Sequence, residues 1–134
     1  RCCSGSSSSS WVRAPACQVV PVRTSRRSPI SDLYAGSPYL GELRNTVVYG
    51  EIWERPQLSK RDRSLITVAV TQALVRDELN IHIPRGLDNG LTPAEISEII
   101  LHVTFYAGWP AAVNAGRLAA EAFDERGVDL SELE

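Results

Sequence analysis

The sequence predicts an all-α domain, and three observations carry that prediction. Apolar residues recur at helical spacing in several segments, Gly, Pro and capping residues mark the breaks, and no stretch alternates apolar with polar residues over a useful length. The segments are separated by two to five residues, which suits antiparallel helical hairpins. A chain of 134 residues has room for one domain with a real core, not two.

The first helical pattern runs from about Pro38 to Trp53, with Leu40, Leu43, Val47 and Ile52 near the 3.6-residue period and Gly50 as a weak point. Glu54-Arg55-Pro56 ends it, because Pro disfavours helix in the residue before it. Ser59 is a good N-cap and Asp62 puts negative charge on the first turn, so a second helix is expected from Lys60 to Arg76, burying Leu65, Val68, Ala69, Ala73 and Leu74. A third segment follows, with Asp77 as its cap, Gly90 as its stop and Pro84 as an expected kink. Thr92-Pro93-Ala94-Glu95 reads as a capping box with Pro at the first helical position. The stripe Ile96, Ile99, Ile100, Val103 and Ala107 follows, and Gly108 closes it. Beyond Pro110 a last helix is expected from Ala111 to Arg126. Ala111, Ala112, Ala115, Gly116, Ala119 and Ala120 give it a face that admits close approach, and a short acidic tail runs from Val128 to Glu134.

Charge is distributed unevenly. Residues 1–30 hold five Arg, a run of Ser from Ser6 to Ser10 and no acid, a composition read as a disordered leader or non-native extension. Residues 31–134 form the helical domain and carry nine basic against sixteen acidic residues. A net charge near −7 there argues against nucleic acid as the main partner. No apolar run reaches the length of a membrane span, so no membrane partner is expected. Cys2, Cys3 and Cys17 all lie in the leader, leaving the domain without thiols for disulfides or zinc. The chain contains no Met, so position 1 is not expected to be the native start.

The segment from Val75 to Gly90 holds the candidate site. In a helix, Glu78, His82 and Arg85 stand at i, i+4 and i+7 and share a face. A carboxylate can orient an imidazole, the imidazole can move a proton near neutral pH, and the guanidinium can receive a carboxylate. The plainer alternative is a solvated face with an ordinary i,i+4 pair.

Further blocks extend this pattern. Tyr49-Gly50-Glu51-Ile52-Trp53-Glu54-Arg55-Pro56-Gln57-Leu58-Ser59-Lys60-Arg61-Asp62-Arg63 is followed by Glu78-Leu79, His82, Leu87-Asp88-Asn89-Gly90-Leu91-Thr92, Glu95 to His102, and Tyr106-Ala107-Gly108-Trp109-Pro110. In that order they resemble the carboxymuconolactone decarboxylase family over roughly Pro38 to Phe123. The resemblance implies an alkylhydroperoxidase D-like fold, a homo-oligomer (trimer or hexamer) and a cytoplasmic protein. One branch of that family carries a dithiol whose positions fall here on Val75 and Glu78, so thiol peroxidase chemistry is excluded from the domain. The other branch resembles the decarboxylase proper and uses neither metal nor organic cofactor. By that resemblance His82 is the general acid and Glu78 orients it or raises its pKa. Arg85, His102 and Trp109 are candidates for binding a small carboxylate or lactone, and the activity is a carboxy-lyase of aromatic-compound breakdown. Arg61 and Arg63 match the family blocks but suit structural ion pairs, and Trp53 suits packing. Pro84 and Gly86 depart from the family pattern. A family member acting only as a helical binding or scaffold oligomer is the alternative.

Overall fold

The computed structural model describes residues 34–133; the leader predicted for 1–30 lies outside the described residues. Side-chain caps open two of the helices. Ser59 Oγ accepts the Asp62 N–H at 3.0 Å and opens α2 (Lys60–Ala73). Thr92 Oγ1 accepts the Glu95 N–H at 3.1 Å while Glu95 Oε2 accepts the Thr92 N–H at 2.9 Å, the reciprocal box that opens α4 (Pro93–Ala107). Arg61 reaches across from α2 to that Glu95, as a structural ion pair. α3 (Leu79–Asp88) starts after Glu78 with no side-chain cap, so Asp77 does not play the capping part expected of it. α5 begins two residues earlier than expected, at Trp109, and runs to Asp124.

The segment expected as one helix over Pro38–Trp53 is three pieces: α1 (Pro38–Leu43), a π-turn (Arg44–Tyr49) and a 3₁₀ turn (Ile52–Glu54). Gly50 makes this possible. A Cβ there would lie 2.5 Å from the Thr46 carbonyl oxygen, so only glycine lets the widened turn close. Leu40, Val47 and Ile52, expected to be buried by the period, are 53%, 42% and 43% exposed.

Helices α2 to α5 pack on one another around Val68, Leu79, Ile83, Leu91, Ile96, Ala115, Leu118, Ala119, Ala122 and Phe123. Every described element is helix, turn or loop, so the all-α class holds. The buried stripe of α2 is Ser64, Val68 and Gln72; of the predicted run Val68 is buried and Leu65 and Ala69 are half-buried, whereas Ala73 and Leu74 are exposed. Burial of these polar residues is compensated locally. Ser64 Oγ accepts from Asn89 Nδ2 at 2.8 Å, and Gln72 Nε2 donates to the Ile100 carbonyl at 3.0 Å. The inner face of α5 is Ala111, Ala115, Leu118, Ala119, Ala122 and Phe123, close to the predicted small-residue face, although Gly116 and Ala120 are exposed. No helix among the described residues is long and apolar enough to cross a membrane.

Two turns flank α3. At its C-terminus the Leu91 N–H bonds the Gly86 carbonyl and the Gly90 N–H bonds that of Leu87, a paired stop that places Gly90 at φ 98°. The same pattern ends α2, where the Arg76 N–H bonds Thr71 and the Val75 N–H bonds Gln72, but here the left-handed position, φ 51°, is held by a β-branched Val. Such a residue is strained by roughly 1–2 kcal/mol in that region. Val75→Gly is therefore expected to stabilise the fold by about 1 kcal/mol, after the added chain entropy of Gly is deducted. A rise in the urea midpoint at constant slope would register it; no rise would mean that the turn relaxes around Val75.

Candidate functional site

The candidate site is assembled from the N-terminal pieces and α3. The π-turn is decisive because five residues along an α-helix are rotated by about 140°. The wider turn brings the Arg44 guanidinium within 4.6 Å of the Tyr49 ring centroid. α3 supplies Arg85, whose guanidinium lies 4.4 Å from the same centroid and donates to the Tyr49 hydroxyl. Trp53 packs on Tyr49 with ring centroids 5.4 Å apart. Arg44, Tyr49 and Trp53 border a cleft of about 540 Å³ walled by Leu40, Leu43, Val47 and Val48, with Thr67 and His82 on its lining.

His82 is half-buried there, three residues before Arg85. Burial is the largest influence on its proton and holds its pKa below the ordinary imidazole value; Arg85 and Arg44 push in the same direction, while Glu78 opposes them. The Glu78 charge is thus outweighed at His82. Glu78 is exposed, and among the described residues no hydrogen bond joins its carboxylate to the imidazole. α3 runs on through Pro84, which lies inside the helix. The Pro84 carbonyl accepts from Arg126 Nη2 at 3.0 Å, and the same guanidinium pairs with Asp88 at 2.8 Å, tying the helix to the end of α5.

A model of the carboxymuconolactone decarboxylase family matches residues 38–122. The chain belongs to this family. Among curated proteins, the 4-carboxymuconolactone decarboxylase of Acinetobacter baylyi is 46% identical over 81 residues, which are 60% of this chain and 60% of that protein. The nitrosuccinic acid decarboxylase npaB of Metarhizium robertsii is 35% identical over 75 residues, 55% of this chain and 52% of that protein. The matched stretch thus spans little more than half the length of these relatives.

Within this carboxymuconolactone decarboxylase family chain, His102 and Trp109 stand apart from the His82 cleft. His102 is exposed on α4 with its ring 5.1 Å from that of Tyr106, beside a second hollow of about 300 Å³ lined by Leu65, Ala69, Glu95, Glu98, Ile99 and Val103. Trp109 is 75% exposed at the start of α5. Arg44 and Tyr49 are the residues that sequence reasoning missed as site components. The available signal was Gly50, which marks the π-turn. Among the described residues, no group of three or more His, Cys, Asp and Glu is arranged to hold a metal ion.

A stability consequence follows from the lowered His82 pKa. The unfolded chain takes up a proton near pH 6.5 that the folded chain resists, so His82 costs nothing above that pH and destabilises progressively as pH falls through 6.5 toward its folded value. Between pH 7.5 and 5.5 the wild type should lose more thermal stability than His82→Gln. Equal losses would show that the imidazole titrates normally.

Proposed function

We propose that this chain is a cofactor-free decarboxylase of a small carboxylated lactone, of the 4-carboxymuconolactone type, acting in aromatic-compound breakdown. The observation that carries this reading is a half-buried imidazole on the wall of an apolar cleft, flanked by two guanidiniums, in a chain of this family. The names of both relatives describe decarboxylases, which supports the reaction class.

The residues suit the chemistry. The bond from the ring carbon to the departing carboxylate breaks, its electron pair passes onto the conjugated lactone carbonyl as a dienolate, and CO2 leaves. His82 then delivers a proton to carbon and regains one from solvent. Arg85 receives a substrate carboxylate, and the apolar walls favour loss of a charged group as neutral CO2. Burial, with Arg85 and Arg44, holds the His82 pKa below the ordinary imidazole value. An anion seated on those guanidiniums cancels their repulsion of the imidazolium, so substrate binding itself loads the acid. Glu78 assists through its charge.

The exposed aromatic group Phe105, Tyr106 and Trp109, respectively 82%, 80% and 75% accessible, supports a homo-oligomer, either a trimer or a hexamer, in which His102 and Trp109 meet a neighbouring copy. The decisive test is CO2 release from 4-carboxymuconolactone by the full chain without added metal. Turnover abolished by His82→Ala upholds the proposal; no turnover by the folded wild type removes it.

A further inference from the structure

Four of the nine cations among the described residues are held in ion pairs, and of the other five, Arg55, Arg63 and Arg76 stand away from the Tyr49 ring. Lys60, Arg61, Arg117 and Arg126 each pair with an acid, respectively Glu54, Glu95, Glu121 and Asp88. Arg44 and Arg85 pair with none among the described residues. Arg44 donates to the amide oxygen of its neighbour Asn45 at 2.9 Å, and Arg85 donates to the Tyr49 hydroxyl. Yet these two are packed against one ring, 4.6 and 4.4 Å from its centroid, at an apolar cleft where like charges repel more strongly than in water. A rare backbone form brings Arg44 there, and π-turns of this kind concentrate at functional sites. Two guanidiniums without ion pairs are gathered on one ring in this way: Arg44 lines the cleft itself, and Arg85 reaches the ring from α3. Arg85 stands three residues from His82 on α3, where the reacting end of a substrate would lie. Arg44 is on the N-terminal segment.

We propose that Arg44 is a specificity-determining residue which receives a second carboxylate, the one retained in the product, so that the cleft selects substrates bearing two carboxylates over their monoanions. This rests on the decarboxylase reading for its substrate, since a 4-carboxylated muconolactone has one carboxylate that leaves and one that stays. A hydrogen-bonded charge pair of this kind is worth about tenfold or more in affinity.

The test uses the full chain, Arg44→Gln and Arg44→Lys. With 4-carboxymuconolactone, Arg44→Gln is expected to raise KM about tenfold or more with kcat changed less than about threefold. Against the substrate esterified at the retained carboxylate it should leave KM unchanged, and Arg44→Lys should recover part of the loss. An equal loss against both substrates, an effect on kcat alone, or an unchanged KM would overturn the assignment. If the wild type decarboxylates neither compound, the decarboxylase reading fails and binding decides this one separately. Titration with glutarate and with monomethyl glutarate, read by Trp53 fluorescence beside Tyr49, should show about a tenfold preference for the diacid that Arg44→Gln abolishes. No preference in the wild type overturns it.

Discussion

His82→Ala is expected to lower kcat for 4-carboxymuconolactone by at least about 100-fold, the lower end for loss of a positioned proton donor. The imidazole lines the cleft and, among the described residues, is the titratable ring on its wall whose ordinary pKa lies near neutral pH. Its half-burial means that removal to Ala opens space without exposing the core, so folding should persist and the loss can be read as chemistry. Glu78→Gln is expected to behave differently. Its carboxylate is exposed and favours the imidazolium by charge alone, so the variant should shift the kcat–pH profile toward acid while retaining more activity than His82→Ala. Parallel pH–rate profiles of the three proteins provide the check. Unchanged turnover in His82→Ala would remove His82 from the reaction.

Ile83→Ala carries the largest expected cost to stability, about 3–4 kcal/mol in the range typical of Ile-to-Ala changes in well-packed cores. Ile83 is 0% exposed and packs in the cluster that joins α2, α3, α4 and α5. Neighbouring side chains cannot easily collapse into the space, since the C-terminal half of α3 is held in place. Arg126 ties it at Pro84 and Asp88, and the paired stop at Gly90 seats Leu91 in the core. For a domain of this size that cost is a large fraction of the total. Urea unfolding should show the midpoint falling with an unchanged slope, and Ile83→Val should lose only about 1 kcal/mol. Near-equal midpoints for wild type and Ile83→Ala would mean the cavity is refilled. Because Ile83 follows His82 directly, activity should also fall at temperatures where the variant remains folded.

The helices from Lys60 onward were legible because their signals are local. Ser59 and Thr92 cap through their own side chains, Gly90 and Gly108 stop through their own backbone, and the α4 stripe follows a single period. Two things were not legible from period alone. The buried face of α2 is turned toward Ser64 and Gln72, because partners distant in sequence, Asn89 and Ile100, satisfy their polar groups; apolar counting could not reveal that. The N-terminal segment was read as one regular helix, whereas the π-turn re-aims its side chains. Thus the sequence drew attention to Glu78, His82 and Arg85 along one stretch of chain, while Arg44 and Tyr49, which share the cleft with His82, were not seen to converge. His102 and Trp109 matched family blocks in sequence, but within one chain they lie on another surface.

The π-turn also makes the site sensitive to a change that alters none of its side chains. Such a turn holds one residue more than the α-helical turn it replaces, so Arg44 and Tyr49 meet only while the residues between them number four. Most surface segments absorb a one-residue deletion with little effect. Loss of Asn45 or Thr46 would instead restore regular winding and swing Tyr49 by about 100° around the axis. Both guanidiniums would then lose their common ring although every cleft residue was still encoded. The spacing of this segment is therefore as much a part of the site as the identity of its residues.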